Sequence, residues 1–257
     1  MVLLSFDIEE FDMPLEYKGE ISFEQQIQIS RGGTIAILDL LKKHNAKATF
    51  FSTVVFAEHN QDIIKRLLQE GHELASHTWY HSDFKTEHLK SSRERLSELF
   101  NTEVVGLRMP RMRPVDEDEV CAAGYTYNSS INPTYLPGRY NNFGVSKRYF
   151  IKKDVVQLPA SVSPNFRVPL FWLSFHNFPE FIYRYLAKRS WKDNGYLNIY
   201  FHPWEFADIK NPEYKLPNFT TKDTGQAMIE KFDSFLMWLD NNKLKYCTIK
   251  DFVDIIN

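Results

Sequence analysis

Short apolar runs alternate along this chain with stretches of helical period. Val2 to Phe6, Lys47 to Ser52, His72 to Ser76, Glu103 to Leu107, Tyr125 to Ser129, Val155 to Leu158, Tyr196 to Phe201 and Tyr246 to Ile249 read as strands. Apolar residues at helical spacing predict helices over Thr34–Lys43, Asp62–Gln69, Leu89–Phe100, Asp116–Ala123, Phe181–Arg189, Ala227–Leu239 and Asp251–Ile256. A polar loop is expected from Phe11 to about Ser30. Residues 131–150 and 207–222 read as loops, and residues 159–177 as irregular chain. Strand–helix alternation over this length implies a parallel sheet, most simply a (β/α) barrel of seven or eight strands. No linker, repeat or low-complexity tract interrupts 1–257, so a single domain is expected.

Composition narrows the class. The chain has 257 residues, 43% hydrophobic and 25% charged, enough for one large core. Its net charge of −2 and lack of a long Lys/Arg block argue against a nucleic-acid or anionic-lipid partner. Two cysteines, Cys121 in an expected helix and Cys247 in an expected strand, read as buried thiols rather than a disulfide. The apolar start, Met1 to Phe6, is too short for a signal peptide, and no run of 18 apolar residues exists. If Met1 is the natural start, a cytoplasmic protein is expected; a trimmed chain would read the same. Oligomeric state is not legible. At 15%, the aromatic content serves a Phe-rich core or a sugar site equally well.

Candidate chemistry collects where strands end. Asp7, His77, Arg108 and His202 each close an expected strand, the placement of active-site residues in barrels. His77 and His81 stand four apart, a spacing that brings two imidazoles to one side of a helical turn. With 8 His, about one such chain in four would hold that pair by chance, so position matters more than spacing. Asp7 and Glu9 point the same way on an extended chain, so one could bind a metal while the other acts as a base. Two histidines and a carboxylate suit zinc or a similar divalent ion. Arg108 could orient Asp7, or be an ordinary surface arginine. His202, fixed by Pro203, suits a general acid. His72 reads as structural. His44, His59, His88 and His176 lack acidic company in the sequence and receive no role.

These residues carry a resemblance. Ser5-Phe6-Asp7-Ile8-Glu9, Gly71 to His81 (GHELASHTWYH), Gly106-Leu107-Arg108-Met109-Pro110 and Tyr200-Phe201-His202-Pro203-Trp204-Glu205 resemble, in order, the motifs of the polysaccharide deacetylase (NodB homology) family. The likeness runs over residues 5–205. It is strongest to the subgroup with an Asp-x-Glu first motif and an HPWE last motif, associated with exopolysaccharide and peptidoglycan-type substrates. Ser129-Ser130-Ile131 and Arg139-Tyr140 fit that subgroup too. The resemblance implies a single-domain distorted (β/α)7 barrel, TIM-barrel-like, with Asp7 as base, His202 as acid and Arg108 holding the base. It implies a metal, zinc or a similar ion, on His77, His81 and Glu9; Glu9 is one residue and one methylene removed from the family's usual ligating Asp. The Arg111 backbone N–H matches an oxyanion donor. No clear match exists for the acid that usually supports the catalytic histidine, for which Asp154 is a guess.

The implied reaction is hydrolysis of an acetamide on a glycan, giving acetate and an amino sugar. Trp79, Tyr80 and Trp204 could wall the acetyl pocket or belong to the core, and Arg139 is a further substrate-binding candidate. The main alternative is a metal-free hydrolase of small cyclic or linear amides on the same fold. An iron oxygenase built on His81-Ser82-Asp83 conflicts with the strand–helix alternation. A non-catalytic glycan-binding module would have lost its acid or base, and both are present.

Overall fold

The computed structural model describes residues 1–137 and 140–256, so Arg139 lies outside the described residues. Among the described residues ten strands are β1 (Val2–Ile8), β2 (Ala48–Ser52), β3 (Glu73–Ser76), β4 (Gly106–Leu107), β5 (Tyr127–Asn128), β6 (Tyr135–Leu136), β7 (Tyr140–Asn141), β8 (Phe150–Lys152), β9 (Val155–Gln157) and β10 (Leu197–Phe201). Eight form one sheet in the order β10-β1-β2-β3-β4-β5-β9-β8. Seven of these run parallel, and β8 returns antiparallel along β9. The parallel strands curl into the TIM-like barrel expected, with an open seam. No ladder joins β9 to β10 among the described residues. Asn198 sews that seam instead: its amide donates to Leu158 O (3.3 Å) and Pro159 O (3.1 Å).

The helices are α1 (Met13–Glu16), α2 (Phe23–Lys43), α3 (Val54–His59), α4 (Gln61–Gln69), α5 (His88–Phe100), α6 (Glu117–Ala122), α7 (Trp172–Asn177), α8 (Glu180–Asn194), α9 (Asn218–Thr221), α10 (Gln226–Asn241) and α11 (Ile249–Ile256). Helix α2 begins eleven residues before the expected Thr34. A capping box starts it, in which Ser22 Oγ accepts from Gln25 N and the Gln25 side chain accepts from Ser22 N. Helices α1 and α9 occupy chain expected as loop, α7 lies in chain expected to be irregular, and α3 in a stretch with no expected element. The expected strand over 246–249 is only an isolated bridge at Tyr246. Cys121 is exposed rather than buried, because it lies on the outer face of α6.

Strand β1 alternates faces with the period of two. Leu4, Phe6 and Ile8 pack outward with Phe50, Phe201, Phe206 and Phe232 under α2 and α10. Leu3 joins the other cluster, where Phe51, Tyr127 and Val156 meet Ile249, Phe252 and Val253 of α11. Ser5 and Asp7, on that same face of β1, reach the buried Arg108. Opposite the strand ends, buried Glu73 accepts from Thr49 Oγ1 (2.6 Å), Tyr127 OH (2.7 Å) and Lys250 N (3.0 Å). That network ties α11 to the barrel. His44, expected to lack acidic company, sits between Asp233 and Asp240 at 2.7 Å from each. Folding supplies both carboxylates from α10, almost 200 residues away.

Candidate active site and metal centre

The sheet delivers Asp7, Glu9, His77, His81, Arg111, His202 and Trp204 to one cavity of about 300 Å³. Asp7 is carried by β1, and the others follow strand ends. Residues 77–81 are not a helical turn. Thr78 takes φ 65°, a left-handed conformation costing a β-branched residue on the order of 1–3 kcal/mol. The chain doubles back there, and the two imidazoles stack 6.1 Å apart.

Hydrogen bonding fixes what these rings present. His77 Nδ1 lies 2.8 Å from Arg108 O, which can only accept. His81 Nδ1 lies 2.6 Å from Asp12 Oδ1. Both Nδ1 atoms therefore donate, and both Nε2 lone pairs face Glu9 Oε2, at 3.0 and 3.2 Å. Glu9 Oε2 is buried and has no hydrogen-bond partner among the described residues. Three acceptors converging on one buried point need a cation between them, and this donor set fits a divalent ion. In a metal-free chain the cation is a proton. Burial opposes it, but Glu9 and Asp12 outweigh burial and raise His81 to about 9.

Arg108 is fully buried, which excludes the surface reading. Its guanidinium lies 4.1 Å from the Phe51 ring and 5.0 Å from Tyr200. It donates to Asp7 Oδ1 (2.7 Å), Ser5 Oγ (2.9 Å), Ser129 O (2.9 Å) and Ser129 Oγ (3.0 Å). Burial pushes the Asp7 carboxyl up, but Arg108, His77 and His202 together outweigh it and hold Asp7 below the usual range. His202 Nε2 stands 3.9 Å from Asp7 Oδ2. Burial works against its imidazolium, yet Glu205, Glu9 and Asp7 together raise its pKa. Both shifts favour an ionised Asp7 beside a protonated His202.

Several partners escaped the sequence reading. Asp12 orients His81 from 69 residues away, and nothing in the sequence links them. Glu205 was read within HPWE but given no role. It accepts from His202 N (2.5 Å) and His202 Nδ1 (3.1 Å), so it supports His202 where Asp154 was guessed. Asp154 lies in the β8–β9 turn at φ 60°. The signal was available: Glu stands at i+3 from His202 across a Pro turn. Arg111 adopts φ 56°, and its guanidinium is spent on Glu16 (2.6 Å), Ser82 (3.1 Å) and Asp12 (3.4 Å). Trp204 lines the cavity and stacks on His202 at 5.3 Å. Trp79 packs against the core instead, and Tyr80 is 40% exposed beside His88; neither lines the cavity. Phe11, Phe171, Trp172 and Tyr200 supply further aromatic wall.

A family model described as polysaccharide deacetylase matches residues 20–116. Over that stretch, less than half of the chain, the sequence is similar to the polysaccharide deacetylase family. A 48-residue stretch is 48% identical to peptidoglycan-N-acetylglucosamine deacetylase of Listeria monocytogenes, covering 19% of this chain and 10% of that one. The chain spans about a fifth of the length, or less, of the first curated relatives it matches. The fold is similar along its whole length to a probable polysaccharide deacetylase from Pseudomonas aeruginosa PAO1. That likeness has a TM-score of 0.70 at 15% identity, covering 98% of this chain and 89% of that one. An allantoinase shares the fold at TM-score 0.68 and 14% identity, covering 98% and 88%.

Proposed function

We propose that the chain is a metal-dependent hydrolase that removes acetyl groups, most simply N-acetyl, from a glycan. The observation that carries this reading is the convergence of two Nε2 lone pairs on Glu9 Oε2, with Asp7 and His202 3.9 Å apart beside it. Glu9, His77 and His81 hold the ion. Two imidazoles favour Zn²⁺ or another first-row ion over Mg²⁺. When bound, it supplies Lewis acidity toward the acyl carbonyl and a water.

The residues divide the remaining work. Asp7, held by Arg108, takes a proton from the attacking water. The backbone N–H of Arg111 is the proposed donor to the oxygen that becomes negative. His202 gives its proton to the departing amine, and Glu205 stabilises the imidazolium until then. Aromatic side chains give the cavity flat walls suited to a sugar ring, and its volume lies at the lower end of the ~300–1,000 Å³ typical of small-molecule sites. The Asp-x-Glu and HPWE motifs favour an exopolysaccharide or peptidoglycan-type substrate. Acetate release from N-acetylated oligosaccharides, with and without chelator, tests the proposal. Release that is lost on chelation and restored by Zn²⁺ is expected. Release indifferent to chelation would replace it with metal-free amide hydrolysis.

A further inference from the structure

Behind His202 lies a second histidine that the reaction above does not use. His176, on α7, and Glu205 are both completely buried, with His176 Nε2 2.8 Å from Glu205 Oε2. The other ring nitrogen, Nδ1, lies 2.6 Å from the carbonyl oxygen of Lys222. A carbonyl only accepts, so Nδ1 carries a proton. One proton then remains for the contact between Nε2 and Oε2. Either His176 is an imidazolium beside a carboxylate, or it is neutral beside a carboxylic acid. Both arrangements carry zero net charge.

We infer that His176 is a positioning residue for the general acid: it neutralises Glu205 and clamps its carboxyl so that Oε1 stays on His202. The inference rests on His202 being the acid. Glu205 Oε1 serves both the His202 backbone N–H and Nδ1, so rotation of that carboxyl would release both bonds. Neutralisation sets how tightly His202 holds its proton. Beside a lone buried carboxylate, His202 would be the counter-ion and a reluctant donor. Beside a neutral pair it gives the proton up more readily. The groups facing His202 are Asp7 and Glu9 from β1 and the loop after it, and Glu205 from its own turn. Around His176, besides Glu205, Lys231 Nζ donates to its carbonyl (3.2 Å) and to Asp223 (3.4 Å). Trp172 meets both rings edge-on, at 6.0 and 5.9 Å, and keeps them apart.

His176→Gln keeps a donor for Oε2 but removes the charge and the exchangeable proton. The alkaline limb of kcat/KM, which reports the acid, should move up by about one pH unit or more, with kcat falling about tenfold or more and KM little changed. A folded variant with an unshifted limb would reduce His176 to packing. ¹⁵N-histidine NMR of the wild-type, metal-free chain reads the same pair without a variant. His176 should carry a proton on Nδ1, donated to Lys222 O, with Nε2 hydrogen-bonded to Glu205. An unprotonated Nδ1 would overturn the inference even if His176→Gln fails to fold. Absence of acetate release from every glycan would instead remove the proposed reaction. The NMR titration of His202 in the two proteins would still report the coupling.

Discussion

Asp7→Asn keeps an acceptor for Arg108 but cannot take a proton. It should fold, retain metal and lose about 10²–10⁴-fold in turnover, measured as acetate release. Near-wild-type turnover would remove Asp7 as base. His202→Ala should cut kcat on an amide far more than on an activated aryl ester, whose leaving group needs no proton. Equal losses would make His202 structural. Glu9→Ala, His81→Ala and Asp12→Ala should each weaken zinc affinity, Asp12→Ala by about 10–100-fold because it only orients His81. Isothermal titration with zinc orders the three, and unchanged affinity in all of them would dismantle the centre. That Asp7, Glu9, His77, His81, Arg108 and His202 come together was legible because strand ends and short motifs mark them. Asp12 and His176 were not, since each acts through a partner that only folding brings near.

Among the elements, α2 shows how a fold positions the turn after His202. It packs against the Pro203–Phe206 turn that follows His202, and Gly33 makes the approach possible. A Cβ there would stand 1.8 Å from Pro203 O. Gly33→Ala must push helix or turn aside, so it should lower kcat and stability together. Gly32→Ala, with open space, should do neither. Melting temperatures and acetate release for the pair decide this, and equal behaviour would deny α2 that role. The two glycines also explain why α2 was misread at its start. They and the polar residues around them dilute the helical period between Phe23 and Thr34, although the Ser22–Gln25 box was there to be seen. Strands β1, β2, β3 and β10 were legible because each runs for four residues or more around apolar positions. Strands β4 and β5 were legible too, within Glu103–Leu107 and Tyr125–Ser129, but each is only two residues long.

Across the whole molecule, acid sensitivity should trace partly to His72, between β2 and β3. Burial, then the Lys47 charge, push it down to about 4. Its Nδ1 accepts from Ala48 N at 3.3 Å, which requires a neutral ring. An unfolded histidine near 6.5 binds the proton first, so this stabilisation is complete above pH 6.5 and fades as pH falls toward 4. The full effect is about 3 kcal/mol. Denaturant melts should show His72→Gln losing less stability than wild type over that interval. Parallel slopes would place the sensitivity elsewhere. The barrel class was legible from alternation, whereas the seam at Asn198 was not, because isolated bonds rather than a strand ladder close it.

The sheet order has a consequence for how the chain is made. Strand β1 lies between β2 and β10, and Val2 pairs with Leu197. At ordinary rates of ~5–20 residues per second, β1 waits roughly 10–40 s on the ribosome for its second neighbour. Through that interval an apolar strand exposes one bare edge, the feature that invites aggregation. Asp7 interrupts that strand near its end, and a carboxylate within an apolar edge discourages mispairing. The residue assigned to take the proton would then act as a gatekeeper of synthesis before any substrate arrives.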